Sequence, residues 1–177
     1  MKSLKGWLAA AVLGGVPLFA GLWFNQTHLG WLNESIPDPD AFASGWQQTV
    51  DAQPQIRHPA VIHWLPRSCL CRLLTLPHAL QISAEAAANG FSVYQFNADE
   101  RALGTPVSAE LDARLGVSPT ILITNSQGQI RYVGAYSNGI RCSRGSSLVA
   151  TFIVDPARLP RHRVVGLNVE TCRCLGQ

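Results

Sequence analysis

Lysine is confined to Lys2 and Lys5 and methionine to position 1, and only 14% of the 177 residues carry charge, against roughly a quarter in ordinary soluble domains. Phosphate-binding loop, dinucleotide fingerprint, zinc-protease helix and nucleophile-elbow serine are all missing, which removes the motif-borne routes to nucleotide, hydride and hydrolytic chemistry. The formal charge of +3 divides into +2 from the two lysines and +1 from the remainder, where every basic residue is Arg. No basic stripe interleaves with aromatics, so nucleic acid is not an expected partner. The Arg141, Arg144, Arg158, Arg161 and Arg163 stretch reads as a solvated surface. Internal repeats and low-complexity tracts are absent too.

Part of the charge deficit is local. Gly6 to Phe24 contains no ionisable side chain, and as a helix rising 1.5 Å per residue it extends about 28 Å, close to the hydrocarbon thickness of a bilayer. Lysines precede the run, and the first charges after it are Glu34, Asp38 and Asp40. By the positive-inside tendency the N-terminus stays cytoplasmic and the rest is exported. The expectation is a single-pass membrane protein, anchored through residues 6–24, with its C-terminal domain periplasmic or otherwise extracytoplasmic. A cleavable signal is the competing reading, but its small-residue site, Ala41-Phe42-Ala43, falls too far downstream.

Residues 25–41 read as a polar tether ending in Pro37-Asp38-Pro39-Asp40, which breaks a continuing helix. Phe42, Trp46 and Val50 then recur at helical spacing, with Asp40 as the expected N-cap. Ala60 to Leu65 is an apolar run interrupted only by His63, the pattern of a central strand covered on both faces. His63 itself reads as a satisfied core histidine. A helix is expected over 72–89, with Leu73, Leu76, Leu80 and Ala84 on one face, a kink at Pro77 and Gly90 as its stop. A strand over 91–97 follows, then a short helix over 108–115. Thr120 to Thr124 and Gln129 to Val133 flank a polar turn ending in Gly128, the signature of a hairpin. Ser146 to Val154 fits helix by length and strand by composition, and residues 155–177 form a tail with no legible placement.

The cysteines carry the chemistry. Cys69-Leu70-Cys71 sits where the apolar strand stops and the helix begins, flanked by Arg67 and Arg72. A helix start and neighbouring cations both favour thiolate over thiol. A second Cys-x-Cys, Cys172-Arg173-Cys174, closes the sequence, and Cys142 stands alone. Export makes disulfides the expected state, and five cysteines leave at least one without an intramolecular partner.

The succession of strand, cysteine motif, proline-containing helix, strand, helix, Val117-Ser118-Pro119-Thr120, hairpin and Gly134 resembles the thioredoxin fold over roughly residues 45–154. The layout with an anchor, Cys-x-Cys in place of Cys-x-x-Cys, His78 behind it and a terminal Cys-x-Cys is also similar to a family of membrane-anchored bacterial thioredoxin-like proteins without an established reaction. The resemblance implies an α/β thioredoxin-like domain at 42–154, a central mixed sheet flanked by helices, after a single transmembrane helix at 1–24 and the tether, and before a Cys-containing tail at 155–177. It further implies a cis bond before Pro119, and a site in which Trp64, Ser118 and Pro119 receive an extended substrate strand beside Cys69 and Cys71. Aligned on Trp64 without a gap, Ser68 falls on the attacking position and Cys71 on the resolving one. One inserted residue makes Cys69 the attacker instead.

The expected function is thiol-disulfide exchange of the oxidase or isomerase kind with protein thiols or disulfides, needing no cofactor. A Cys69–Cys71 disulfide closed across one residue is strained, which predicts a couple above about −230 mV. Cys142, Cys172 and Cys174 are auxiliary thiols that either relay oxidising equivalents or staple the tail. The rival readings are a copper-chaperone-like soft-metal site of Cys69, Cys71 and His78, a peroxidase with Ser68 three residues before Cys71, and a non-catalytic assembly factor. Four sulfurs around zinc are a further arrangement, at a spacing tighter than usual for structural sites.

Overall fold

The uncharged N-terminal run is helical throughout: α1 spans Lys2–His28, 27 residues. The computed structural model describes residues 2–67, 69–98, 103–139, 144–172 and 174. Trp7, Leu13, Val16, Leu18, Phe19 and Leu22 on α1 are all exposed. Among the described residues no helix is long and apolar enough to cross a membrane.

Residues 29–36, expected within a free tether, are instead built into the domain. Strand β1 (Leu29–Trp31) and the single turn α2 (Leu32–Ser35) follow α1 directly, and Leu32 and Ile36 are buried in the main core. Their apolar side chains explain the difference, since a segment with something to bury does not stay solvated. Helix α3 (Pro39–Asp51) begins at Asp38, whose carboxylate accepts the Ala41 N–H at 2.9 Å. Asp38 rather than Asp40 caps it, because Pro39 brings a fixed helical φ and no N–H to the first turn. Phe42, Ala43, Trp46 and Val50 form its buried stripe.

Strand β2 (Ala60–Trp64) is the centre of a six-stranded mixed sheet. Helix α4 (Cys71–Ala88) leads from it to β3 (Ser92–Phe96), which pairs parallel to β2. Strand β4 (Thr105–Val107) adds in parallel at the outer side of β3. The hairpin β5 (Thr120–Thr124) and β6 (Ile130–Gly134) lies on the other side, with β5 antiparallel to β2. After the short α5 (Ala150–Val154), β7 (Val164–Gly166) pairs parallel to β6, giving the order β4-β3-β2-β5-β6-β7. Strand β8 (Glu170–Cys172) leaves this sheet and pairs antiparallel with β1.

Strand alternation divides the interior in two. Ile62, Phe96, Leu122 and Val133 face α3, where Trp46 stacks on Phe96 with ring centroids 6.1 Å apart. Val61, Ile121 and Ile123 face α4 and α5, meeting Ala79, Ile82, Ala86, Val149 and Ile153. The inward face of α4 is therefore mostly small side chains; of the expected stripe Leu73 and Leu80 are exposed, while Leu76 packs partly buried against this core. Alanines at the contact let a helix lie close to a sheet already crowded with branched side chains. The helix expected over 108–115 contracts to one 3-10 turn, Ala113–Leu115. Asn97 prevents its earlier start, its side chain accepting the Ala109 N–H and donating to the Ala109 carbonyl, both at 2.9 Å. At the far edge β6 and β7 approach closely through Gly134 and Gly166. Gly134 has φ +149°, and a Cβ there would meet the Gly166 carbonyl oxygen at 2.5 Å.

Candidate functional site: a four-cysteine junction

Three chain segments converge at the end of β2. Trp64 closes the strand and packs partly buried against Trp46, with its indole N–H lacking a partner. The chain turns through Pro66, whose carbonyl accepts the Cys69 N–H, and Cys69 in turn accepts from Arg72 N–H as α4 starts. Cys69 thus sits on the loop and Cys71 is the first residue of an 18-residue helix, fully buried. The Arg67 guanidinium donates to the Ala98 carbonyl at 2.8 Å.

The second segment is the C-terminal one. Leu29 of β1 pairs with Cys172 of β8, and the Leu32 and Asn33 N–H groups donate to the Val169 and Leu167 carbonyls at 3.0 Å. This ladder delivers both terminal cysteines to the start of α4. Cys69 is bonded to Cys174 and Cys71 to Cys172, with Cα separations of 5.0 and 5.6 Å. The expected bridge across Leu70 is therefore not formed. Each cysteine of the first pair takes one of the second, while Leu70 between them is exposed. With that pairing the argument for an oxidising couple from a strained one-residue bridge no longer applies. Cys142, Ser68 and Arg173 lie outside the described residues, so the lone thiol and the serine of the peroxidase reading have no placement here.

The third segment is Val117 to Pro119, ahead of β5. The Cys174 N–H donates to the Val117 carbonyl at 2.9 Å, and the Ser118 hydroxyl donates to the Cys172 carbonyl at 3.1 Å. The Val-Ser-Pro segment and the sulfurs are adjacent, but the terminal Cys-x-Cys stands between them. The Ser118–Pro119 bond is trans, contrary to expectation. His58–Pro59 is the cis bond among the described residues. Trans is the ordinary X-Pro state, and at the entrance to β5 the missing N–H of Pro119 costs the ladder nothing. Thr120 Oγ1 donates back to the Ser118 carbonyl at 3.0 Å.

The four half-cystines and Leu29 make a small apolar cluster of their own, with Phe24 of α1 against it. Cys69 and Cys172 are each 6% exposed, and Cys174 is half-buried, the most open of the four. The Sγ atoms of Cys69, Cys71 and Cys174 lie within 4.8 Å of one another. His78 does not join them. It lies two turns along α4, its Nε2 3.1 Å from Ser147 Oγ and its buried Nδ1 without a partner. Burial holds its pKa below the usual imidazole value, with Glu85 opposing. A polar surface hollow lined by Gln47, Asp51, Gln129, Arg131 and Arg163 belongs to the hairpin-turn end of β5 and β6, away from the cysteines.

Sequence reasoning named all four sulfurs and Ser118, but missed the Val117 carbonyl and the β1 partner strand. The duplicated Cys-x-Cys spacing was the one signal that two segments of equal reach should meet.

The structure thus defines a mixed α/β domain, a six-stranded sheet flanked by helices, carrying a disulfide-linked cysteine cluster. Residues 39–176 match the family described as a domain of unknown function, DUF6436, and the chain belongs to that family. Comparison with curated proteins and with solved structures finds no match.

Proposed function

We propose that this is a membrane-tethered, exported thiol-disulfide exchange protein on a thioredoxin-like fold, with Cys69–Cys174 as its outer couple and Cys71–Cys172 as its inner one. The order β3-β2-β5-β6, parallel in its first pair and antiparallel in the next two, supports the fold reading, as does the passage from β2 through a cysteine loop into α4. Disulfides favour an oxidising compartment. The uncharged run of α1, with its exposed apolar side chains, calls for surroundings that water does not provide. Lys2 and Lys5 ahead of it orient the N-terminus to the cytoplasm.

The observation that carries the exchange reading is the pairing itself. The two bridges span 105 and 101 residues and share almost the same loop. A cross-link over a loop of that size contributes about 4–5 kcal/mol by restricting the unfolded chain. The second bridge restricts little that the first has left free. Opening Cys69–Cys174 with Cys71–Cys172 intact therefore costs the fold little, which suits one couple to turnover and the other to retention.

A partner thiolate attacks Cys174, the more open sulfur. The Cys69–Cys174 bond breaks and Cys69 leaves as a thiolate, favoured by the start of α4. A second partner thiol then attacks the mixed disulfide, releasing Cys174 and closing the partner's own bridge. Two electrons and two protons pass from partner dithiol to Cys69 and Cys174. In the reverse direction Cys174 attacks the partner disulfide, and Cys69 then attacks Cys174 and releases the partner dithiol.

The test is to incubate the oxidised full chain with a reduced dithiol peptide and follow the peptide's disulfide by mass. The proposal expects stoichiometric peptide oxidation, abolished in Cys174→Ser and retained in a Cys71→Ser/Cys172→Ser double variant. A peptide that stays reduced while the wild-type bridges remain closed would overturn it.

A further inference from the structure

We infer that, once both bridges are reduced, Cys69, Cys71, Cys172 and Cys174 form a four-thiolate site for a thiophilic d10 cation, Cu(I) or Zn(II). The inference concerns the reduced state and does not depend on the exchange reading. What holds the two Cys-x-Cys segments together is largely independent of sulfur. The β1–β8 ladder, the Cys174 N–H to Val117 bond, the Ser118 hydroxyl to Cys172 bond and the Gly139 N–H to Glu170 bond all join the segments without using a sulfur atom. Reduction by a dithiol adds two electrons and two protons per bridge, leaving four thiols confined in an apolar pocket with Leu29 and Phe24.

Geometry and charge both suit a metal. A tetrahedral cation with metal–sulfur bonds of about 2.3 Å holds its ligands about 3.8 Å apart. Three of the sulfurs already lie within 4.8 Å of each other, and Cys172 is bonded to one of them. Closely set thiolates select soft ions over magnesium or calcium, and the cation displaces thiol protons to solvent as it binds. Cys71, buried at the first position of α4, gains from the positive end of that helix. Leu70 points out from between its two cysteines, so both sulfurs of that segment can face one ion. Ser118 acts as a positioning residue: through the Cys172 carbonyl it fixes the segment that bears two ligands.

Disulfide and metal therefore exclude one another at the same four sulfurs. The test is an anaerobic titration of the reduced full chain with Zn(II) and, separately, with Cu(I) delivered from a weak chelator. Stoichiometry is read by native mass spectrometry and cysteine protection by alkylation mapping. The expected result is a single ion per reduced chain, none per oxidised chain, and protection of all four cysteines in the loaded form. The ion retained against the chelator distinguishes zinc from copper. Ser118→Ala should weaken binding about tenfold or more, and a Cys172→Ser/Cys174→Ser double variant should abolish the stoichiometric site. If the reduced chain loses its near-ultraviolet circular dichroism, the proposal expects the ion to restore it. Reduced chain that holds neither ion more tightly than the double variant, whether or not it stays folded, overturns the site. That outcome leaves peptide oxidation by the disulfide form untouched, so the two proposals fail separately.

Discussion

His63 shows how a polar side chain is kept in the middle of β2. Its Nδ1 lies 2.7 Å from the Tyr136 hydroxyl and its Nε2 3.0 Å from Ser83 Oγ, so both nitrogens are satisfied with no exposure. Desolvation lowers its pKa to about 3, and burial depresses His58 and His78 in the same direction. Between the ordinary value of 6.5 and those lowered values the unfolded chain binds protons that the folded one refuses, so stability is lost as pH falls. His63 alone should remove about 1 kcal/mol for each pH unit below 6.5, until its own lowered value near 3 is reached. Urea unfolding of the oxidised chain at pH 7, 6 and 5 checks this, and a flat profile would contradict it. The core role of His63 was legible in the sequence, since an isolated histidine in an apolar strand must be either satisfied or functional. The cysteine pairing was not, because spacing along the chain says which thiols are near in sequence and nothing of which strands later meet.

Among the elements, those with strong punctuation were read closely. Asp38-Pro39, Pro59 and Gly90 mark the ends of α3, β2 and α4 within a residue or two, and Gly128 marks the hairpin. Elements of three residues carry no period to read, so β1, β7 and β8 emerge only from the pairings they make. Two of them, β1 and β8, form the ladder at the junction, which is why the site's residues were nameable and its architecture was not. Two errors share one cause, the ranking of side chains by hydrophobicity alone. Leu outranked Ala for the inward face of α4, and the polar bonds of Asn97 to Ala109 were invisible behind a helical pattern. Where α3 meets the sheet the energetics are ordinary core packing: Trp46 is fully buried against Phe96 and Trp64. Trp46→Ala should cost about 3–5 kcal/mol in urea unfolding, with the bridges intact in both proteins. A loss below about 1 kcal/mol would mean that α3 is not held there as described.

Taken as a whole, the molecule is a sheet whose two ends of chain are tied to each other beside its cysteine helix. The segment after α1 and the segment before the C-terminus form one ladder, and that ladder brings the second thiol pair onto the first. Any membrane attachment through α1 therefore sets the distance of the sulfurs from the bilayer, because Phe24 already packs on them. The doubled bridge gives the arrangement its character, since one link suffices to restrict the unfolded chain and the second adds little to that restriction. The decisive measurement is an equilibrium titration of the full chain against a graded series of dithiol buffers, with acid quenching, alkylation mapping and near-ultraviolet circular dichroism at each step. Cys69 and Cys174 should become labelled first, at potentials where the dichroism is unchanged, with Cys71 and Cys172 following at more reducing values. Simultaneous labelling of all four, coincident with loss of the folded signal, would mean that both bridges are structural and would contradict the exchange reading.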